Sequence, residues 1–292
     1  MSGALWALIA GIGFGIFQAM NGRAVREVSS IYTSTFLQLL LATAALGLVA
    51  LIAEDPAALG DAPAWSLIAF ALAGVVHFFL GWTTLNLSQV RIGAARTGPL
   101  LSTTPLFGLL LAALLATQFP APIAIAGIGL TIAGAIVVQD PSAARGVALR
   151  DSGFALATAF AWAISALLIL EGLEGLGSPL LGVTLGMSAA CAAYGGLLLL
   201  LPPSHRGVGG ALDALAWKLA AGLIVGLATW ARWVAIEDTE VAVVLALNLA
   251  SVPMVLWLAP VFSGRHVEVV TARVWAGAGL IMAGALILIG AG

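Results

Sequence analysis

Ten apolar runs, each about long enough to cross a lipid bilayer, constrain this chain more than any other feature. They are separated by charged or Pro/Gly-rich breaks and predict helices at 4–21, 33–53, 65–86, 93–115, 121–139, 153–171, 180–201, 212–236, 240–262 and 272–290. A helix needs roughly 20 apolar residues to span about 30 Å of hydrocarbon. Only 8% of the 292 residues are charged, whereas soluble domains carry about 25% charged residues. We therefore predict an all-α integral membrane protein with ten transmembrane helices.

The second half of the sequence resembles the first half. The segments Gly127–Ala135 and Gly277–Ala285 are identical at six of nine positions. A shift of 148 residues, two fewer than the shift that aligns these segments, superposes Pro105 on Pro253, and it superposes Trp82 on Trp230. These matches predict an internal duplication.

The duplication divides the chain into a first five-helix repeat at 1–140 and a second at 151–292, with a polar connecting loop at 141–150. Because five is an odd number, the second repeat enters the membrane in the opposite sense from the first. Two inverted repeats can exchange conformations, which opens a central cavity to one side of the membrane and then to the other.

The distribution of Lys and Arg predicts the orientation in the membrane, because cytoplasmic loops are enriched in these residues. Ten basic residues lie in or beside the loops that follow odd-numbered helices: Arg23, Arg26, Arg91, Arg96, Arg145, Arg150, Arg206, Lys218, Arg265 and Arg273. Only Arg232 lies near a loop on the opposite side. We call the two surfaces the odd-loop face and the even-loop face. The sequence predicts a multi-pass protein of a bacterial-type cell inner membrane, with the odd-loop face in the cytoplasm and both termini on the periplasmic side.

Two motifs in the fourth and fifth helices resemble those of a known transporter family. They read Ala94-Ala-Arg-Thr-Gly-Pro-Leu-Leu-Ser-Thr-Thr-Pro105 and Gly127-x-Gly-Leu-x-x-Ala-Gly134, with a second-half counterpart that runs through Asn248 and Pro253 to Gly284. Over nearly its whole length the chain resembles the ten-helix EamA-like branch of the drug/metabolite transporter superfamily. The resemblance implies a transporter that exports small neutral or zwitterionic metabolites, and amino-acid exporters are the most similar group.

The chain departs from the family pattern at two positions. Members usually carry a Glu about 13 residues beyond the proline of the fourth and ninth helices, where this chain has Gln118 and His266. The role of that Glu therefore does not carry over to this chain by position.

Polar and aromatic side chains at mid-membrane depth are candidates for a substrate cavity, because an unpaired polar group is costly in hydrocarbon. His77 is the only ionisable side chain near the centre of a predicted helix. A neutral imidazole bonded to a neighbouring helix is the alternative interpretation. The predicted cavity residues are Phe14, Phe17, Gln18, Asn21, His77, Phe78, Trp82, Thr97, Thr104, Trp162, Ser165, Trp230, Asn248 and Ser251.

Helix packing and interfacial positions compete with several of these assignments. The stripe from Phe14 to Asn21 also fits simple helix packing, although its amides suit a zwitterion. The tryptophans suit an apolar substrate body, or an aromatic belt at the membrane surface. The prolines Pro99, Pro105 and Pro253 suit hinges or plain kinks. Arg232 fits a partner for a substrate carboxylate, but the sequence favours a side chain that reaches toward the headgroups.

Missing residue types restrict the mechanism. No acidic residue occurs between Met1 and Arg26, or from Ser152 to Leu170. Exchange of protons on a carboxylate in the first or sixth helix is therefore disfavoured, and facilitated diffusion or coupling through His77 is favoured.

Enzymatic chemistry finds little support in the sequence. It lacks an Asp-rich metal motif and a nucleophile elbow, so an intramembrane lipid-modifying enzyme is a weaker alternative, as is a scaffold without transport activity. We expect no bound cofactor or metal and no nucleic acid. The expected partners are a small-molecule substrate and membrane lipids, in a monomer or a homodimer. The glycine faces of the fifth and tenth helices permit close contacts within one chain or between two copies.

Overall fold

The computed structural model describes residues 2–116, 122–138, 149–207, 212–238, 244 and 247–291. These residues form helices joined by short turns, which confirms an all-α fold. Seven helices are long and apolar enough to cross a membrane: Gly3–Ala24, Ile31–Ala53, Ala64–Ile92, Asp151–Leu176, Pro179–Leu200, Leu212–Asp238 and Ala272–Gly290. Shorter apolar helices accompany them.

The described residues of the first half form the α-helices α1 Gly3–Ala24, α2 Ile31–Ala53, α3 Ala58–Asp61, α4 Ala64–Gly74, α5 Trp82–Ile92, α6 Ala94–Leu101, α7 Thr104–Ala116 and α8 Pro122–Val138. The second half contains α9 Leu149–Leu176, α10 Pro179–Leu200, α11 Leu212–Asp238, α12 Ser251–Ser263 and α13 Ala272–Ala291. Most bounds lie within a few residues of those predicted. Gln118, most of the loop at 141–150 and the start of the predicted ninth helix lie outside the described residues.

The third span is one continuous helix in three parts. Helices α4 and α5 are joined by a π-helical turn, Val75–Gly81, which contains His77 and Phe78. The sequence predicted an uninterrupted α-helix ending near residue 86, whereas the third span continues to Ile92. A π-helical turn inserts an extra residue into the helix and re-aims its side chains, and such turns are frequent at functional sites.

The fourth span is broken near Pro105, where the sequence analysis left a hinge or a plain kink open. Helix α6 ends at Leu101 and α7 begins at Thr104. Pro105 has no N–H to donate to the carbonyl of Leu101, so a continuous helix would leave that carbonyl unbonded. The Thr104 hydroxyl donates to the Leu101 carbonyl instead, at 2.7 Å. The break therefore replaces a backbone bond with a side-chain bond.

Helices α8 and α13 cross where glycines of the two helices face each other. A Cβ atom on Gly127 would lie 3.0 Å from the Gly284 carbonyl oxygen, and one on Gly134 would lie 2.7 Å from the Gly277 carbonyl oxygen. As residue numbers rise along α8 they fall along α13, so these repeat-related helices run antiparallel. The two glycine faces are used within one chain.

The contacts between spans follow an approximate twofold pattern. Helix α1 packs on α11 and α12. The repeat-equivalent helix α9 packs on α4, α5, α6 and α7, which form the third and fourth spans. Helix α6 also packs on α12, so the repeat-equivalent fourth and ninth spans contact each other.

Candidate substrate cavity

A cavity of about 70 Å³ lies at the centre of the helices, with room for several water molecules. Side chains from both halves form its wall: Phe14, Gln18, His77, Leu101, Ser102, Thr104, Pro105, Trp162, Arg232, Asn248, Leu249 and Ser251. The broken fourth span contributes four of these residues. Apolar and aromatic surfaces therefore surround a small number of polar groups, as is typical of small-molecule sites.

His77 and Trp162 form an aromatic part of the wall. Their rings stack with centroids 5.2 Å apart and planes inclined by 13°. The Trp162 indole N–H donates to the His77 carbonyl oxygen at 3.3 Å. The backbone can come this close because the π-helical turn ends in Gly81, where a Cβ atom would lie 2.7 Å from Trp162 Nε1.

Ser165 lies behind the imidazole of His77. Its Oγ is 2.8 Å from His77 Nδ1, and it donates to the Trp162 carbonyl oxygen at 3.0 Å. A hydroxyl has only one proton to donate, so in this arrangement His77 donates from Nδ1 to the Ser165 hydroxyl. The imidazole is thus bonded to a neighbouring helix and also lines the cavity, which combines the two interpretations of His77.

Three residues of the cavity wall carry buried polar atoms without a hydrogen-bond partner among the described residues. These atoms are Gln18 Oε1, Arg232 Nε and Asn248 Oδ1. A buried polar atom without a partner typically costs about 1–3 kcal/mol. Two acceptor oxygens and a guanidinium nitrogen therefore belong to residues of one cavity wall and do not bond each other, which makes this cavity a candidate site for a polar ligand.

Arg232 does not reach toward the headgroups, which corrects the sequence interpretation. Its side chain is 6% exposed, and it forms no ion pair with any residue that the structure describes. Arg232 lies six residues before the end of α11, which contacts α1 and α2. These neighbouring helices hold the guanidinium inside the protein.

Glycines on two helices bring Gln18 into the cavity. A Cβ atom on Gly98 of α6 would lie 3.2 Å from Gln18 Oε1 and would contact the Val255 side chain. One on Gly15 of α1 would lie 2.8 Å from the Ser251 carbonyl oxygen. Helices α1, α6 and α12 therefore approach closely around the Gln18 amide.

Seven predicted cavity residues lie outside the wall in this conformation: Phe17, Asn21, Phe78, Trp82, Thr97, Ser165 and Trp230. Trp82 is 1% exposed and packs on Phe17 and Phe78, with centroid distances of 5.7 and 5.2 Å. Trp230 packs on Trp6 at 5.7 Å. The repeat-related tryptophans are thus packing residues here, while Trp162 provides the indole of the wall.

The structure also places Thr97 and the three predicted hinge prolines. The Thr97 hydroxyl lies 2.8 Å from that of Ser88. Pro99 is buried inside α6 and Pro105 lines the cavity. Pro253 is exposed in the first turn of α12, where the missing N–H interrupts no helical bond.

Asn21 belongs to a buried polar network that the sequence analysis did not identify. Lys218 Nζ donates to Asn21 Oδ1 at 2.7 Å and to Asn86 Oδ1 at 2.8 Å. Asn21 donates to Asn86 and Gln89, at 2.7 and 2.6 Å. Lys218 was assigned to a loop because it lies near the start of a predicted helix, yet its side chain is fully buried.

Glu268 closes the odd-loop face, and the sequence analysis also missed it. Its carboxylate accepts from Arg26 at 2.7 Å and from the Ala94 and Ala95 backbone N–H groups at 2.9 and 3.2 Å. His266, the residue at the expected family position, is exposed. Glu268 is therefore a buried carboxylate two residues beyond that position.

The fold and the cavity define a class: a polytopic membrane protein whose two halves enclose a partly polar central space. Residues 1–139 match the model of the EamA-like transporter family. This match confirms the predicted resemblance over this part of the chain.

Two further comparisons cover almost the whole chain. It is 29% identical over 286 residues to a protein of Streptantibioticus cattleyicolor named "Probable terminal-alkyne amino-acid exporter", covering 95% of this chain and 86% of the relative. A solved crystal structure is similar over 96% of this chain and 97% of its own, with a TM-score of 0.63 and 17% identity, which supports the fold alone. The family and the relative both point to a transporter rather than an enzyme.

Proposed function

We propose that the protein exports amino acids with short apolar side chains, including terminal-alkyne amino acids, across the bacterial inner membrane. The name of the relative suggests this substrate class. The observation that carries the proposal is that Gln18 Oε1, Asn248 Oδ1 and Arg232 Nε belong to one cavity wall and have no hydrogen-bond partner among the described residues.

These three groups complement a zwitterion. The guanidinium of Arg232 suits a carboxylate, because Arg presents several donors in a fixed planar fork. The oxygens of Gln18 and Asn248 suit an α-ammonium, which is a donor without acceptors. Phe14, Trp162 and the leucines of the wall offer apolar surface to the substrate side chain. The small cavity favours a short side chain.

The transport cycle follows from the inverted arrangement. The Lys218 network and Glu268 close the odd-loop face in this conformation, so export requires that these contacts open and re-form. The odd-loop face would be cytoplasmic, by the distribution of Lys and Arg, with both termini periplasmic. Among the described residues, Glu268 is the only acidic residue classed as buried, and it lies in a loop at this face. We therefore favour facilitated diffusion or exchange over antiport on a buried carboxylate.

Transport by purified protein in proteoliposomes tests the proposal. We expect saturable uptake of radiolabelled L-propargylglycine and of its saturated counterpart L-norvaline, and little uptake of but-3-yn-1-amine, which lacks the carboxylate. Arg232→Met should reduce amino-acid flux at least tenfold. Arg265→Met removes an exposed loop arginine and is the matched control.

Three results would count against the proposal. Uptake that is not saturable, or an amine flux equal to the amino-acid flux, would reject the substrate class. Consumption of a lipid or amino acid by the purified protein would instead favour the enzyme alternative.

A further inference from the structure

Lys218 is a buried lysine that pairs with no acidic side chain among the described residues. Its side chain is fully buried in α11, and none of the ion pairs among the described residues includes it. Burying a charge in a membrane is expensive, and such residues usually mark a ligand pathway. The network therefore requires an explanation beyond helix packing.

Neutral amides surround the Lys218 ammonium. Asn21 Oδ1 and Asn86 Oδ1 accept from Nζ, and Asn86 also donates to Thr35 Oγ1 at 2.8 Å. Lysine only donates, so these two oxygens occupy positions that a carboxylate can take with a stronger, charge-assisted bond. The amide N–H groups of the same residues can then turn toward the anion.

Lys218 and Arg232 lie on the same side of one helix. They are 14 residues apart in α11, which corresponds to about 21 Å along the axis and a rotation of about 40°. Arg232 lines the cavity, whereas Lys218 lies near the odd-loop face. Gln18 connects the cavity with the Lys218 network. Its side chain lines the cavity, and its carbonyl oxygen accepts from Gln89 at 3.1 Å.

We propose that Lys218, with Asn21 and Asn86, forms a second binding station for the substrate carboxylate, which the substrate occupies when the odd-loop face is open. This inference rests on the proposed function and deepens it: the substrate must carry a carboxylate, and it is bound by a cation at each level of the pathway.

Opening of the odd-loop face creates the station. The network joins α11 of the second half to α1, α2 and α5 of the first half. Separation of the halves at this face removes the amide oxygens from Lys218 and leaves its ammonium facing the opening. A carboxylate then compensates the charge, so the substrate favours the open form by binding it more tightly.

The test compares Lys218→Met and Lys218→Arg in proteoliposomes. We expect Lys218→Met to raise the KM for L-norvaline at least tenfold with a smaller change in kcat, and Lys218→Arg to stay within about threefold of the wild-type KM. Ser88→Ala is the control, because it removes a buried hydroxyl of α5 that bonds Thr97 and not the network. Thermal midpoints report whether each variant is folded.

A chemical rescue covers the case in which Lys218→Met does not fold. Lys218→Cys in a Cys191→Ser background is treated with an aminoethyl methanethiosulfonate, which restores a cation, or with the neutral propyl reagent. Recovery of the norvaline KM with the aminoethyl reagent alone supports the station. Equal recovery with both reagents, or an unchanged KM in Lys218→Met, overturns it.

The two proposals fail in different ways. If wild-type protein shows no saturable norvaline flux, the proposed function fails and the station falls with it. If wild-type flux is normal and carboxylate-dependent while the Lys218 variants keep the wild-type KM for norvaline, only the proposal of the station is rejected.

Discussion

The indole of Trp162 lies parallel to the imidazole of His77, with 5.2 Å between centroids and 13° between planes. The two residues belong to different halves of the chain. Their stack therefore forms a wall that both halves share, and any motion between the halves changes the shape of this wall.

We predict that Trp162→Leu weakens binding of the apolar substrate side chain. Burial of a methylene group contributes about 0.8 kcal/mol, so loss of the indole surface against the propyl chain should raise the KM for L-norvaline about three- to tenfold. Trp162→Phe keeps a ring and should lie between wild type and Trp162→Leu. Trp257→Leu is the control, since Trp257 is 65% exposed on the outside. Equal effects of Trp162→Leu and Trp257→Leu would remove Trp162 from the site.

The glycine crossing of α8 and α13 predicts a local effect on stability. In Gly134→Ala the new Cβ would meet Gly277 O and Ile281 N, each at 2.7 Å. Backbone atoms cannot turn away as a side chain can, so we expect a loss of about 1–3 kcal/mol and a lower thermal midpoint in detergent. Gly129 of the same helix has no heavy atom within 4 Å of its Cβ position. Gly129→Ala should keep or raise the midpoint, because alanine favours helix over glycine.

The odd-loop face offers a comparison between two ion pairs that join the halves. Glu268 is 3% exposed and bonds Arg26 and two backbone N–H groups. Asp213 is 60% exposed and pairs with Arg23 at 2.8 Å. Because loss of a buried charged acceptor leaves its donors unpaired, Glu268→Gln should cost about 1–3 kcal/mol.

Asp213→Asn should cost at most about 1 kcal/mol, since its exposed pair is screened by water. Thermal midpoints of the two variants at low and high salt test this contrast. A larger loss in Asp213→Asn than in Glu268→Gln would contradict the assignment of Glu268 as the main closure of this face.

The helices were predictable from sequence because each span leaves a long apolar signal, and the inverted repeat was visible in its duplicated motifs. The broken fourth span was less predictable: Pro99 and Pro105 indicated a disturbance, but the position of the break depends on the Thr104 hydroxyl. Gln18 could be placed near the cavity by its depth. Lys218 could not, because a lysine near a helix end usually reaches the headgroups, and only the positions of distant Asn21 and Asn86 keep it inside.

Pro105 lets the role of the broken span be tested directly. Pro105→Ala restores an N–H that can donate to the Leu101 carbonyl, where Thr104 now donates. We expect α6 and α7 to join more readily, with an equal or higher thermal midpoint and a lower kcat, because the cavity wall loses a flexible point. Pro63→Ala is the control, since Pro63 is the exposed residue that precedes the first turn of α4, and its kcat should not change. If Pro105→Ala keeps the wild-type kcat while its midpoint rises, Pro105 is a kink accommodated by packing and the hinge lies elsewhere.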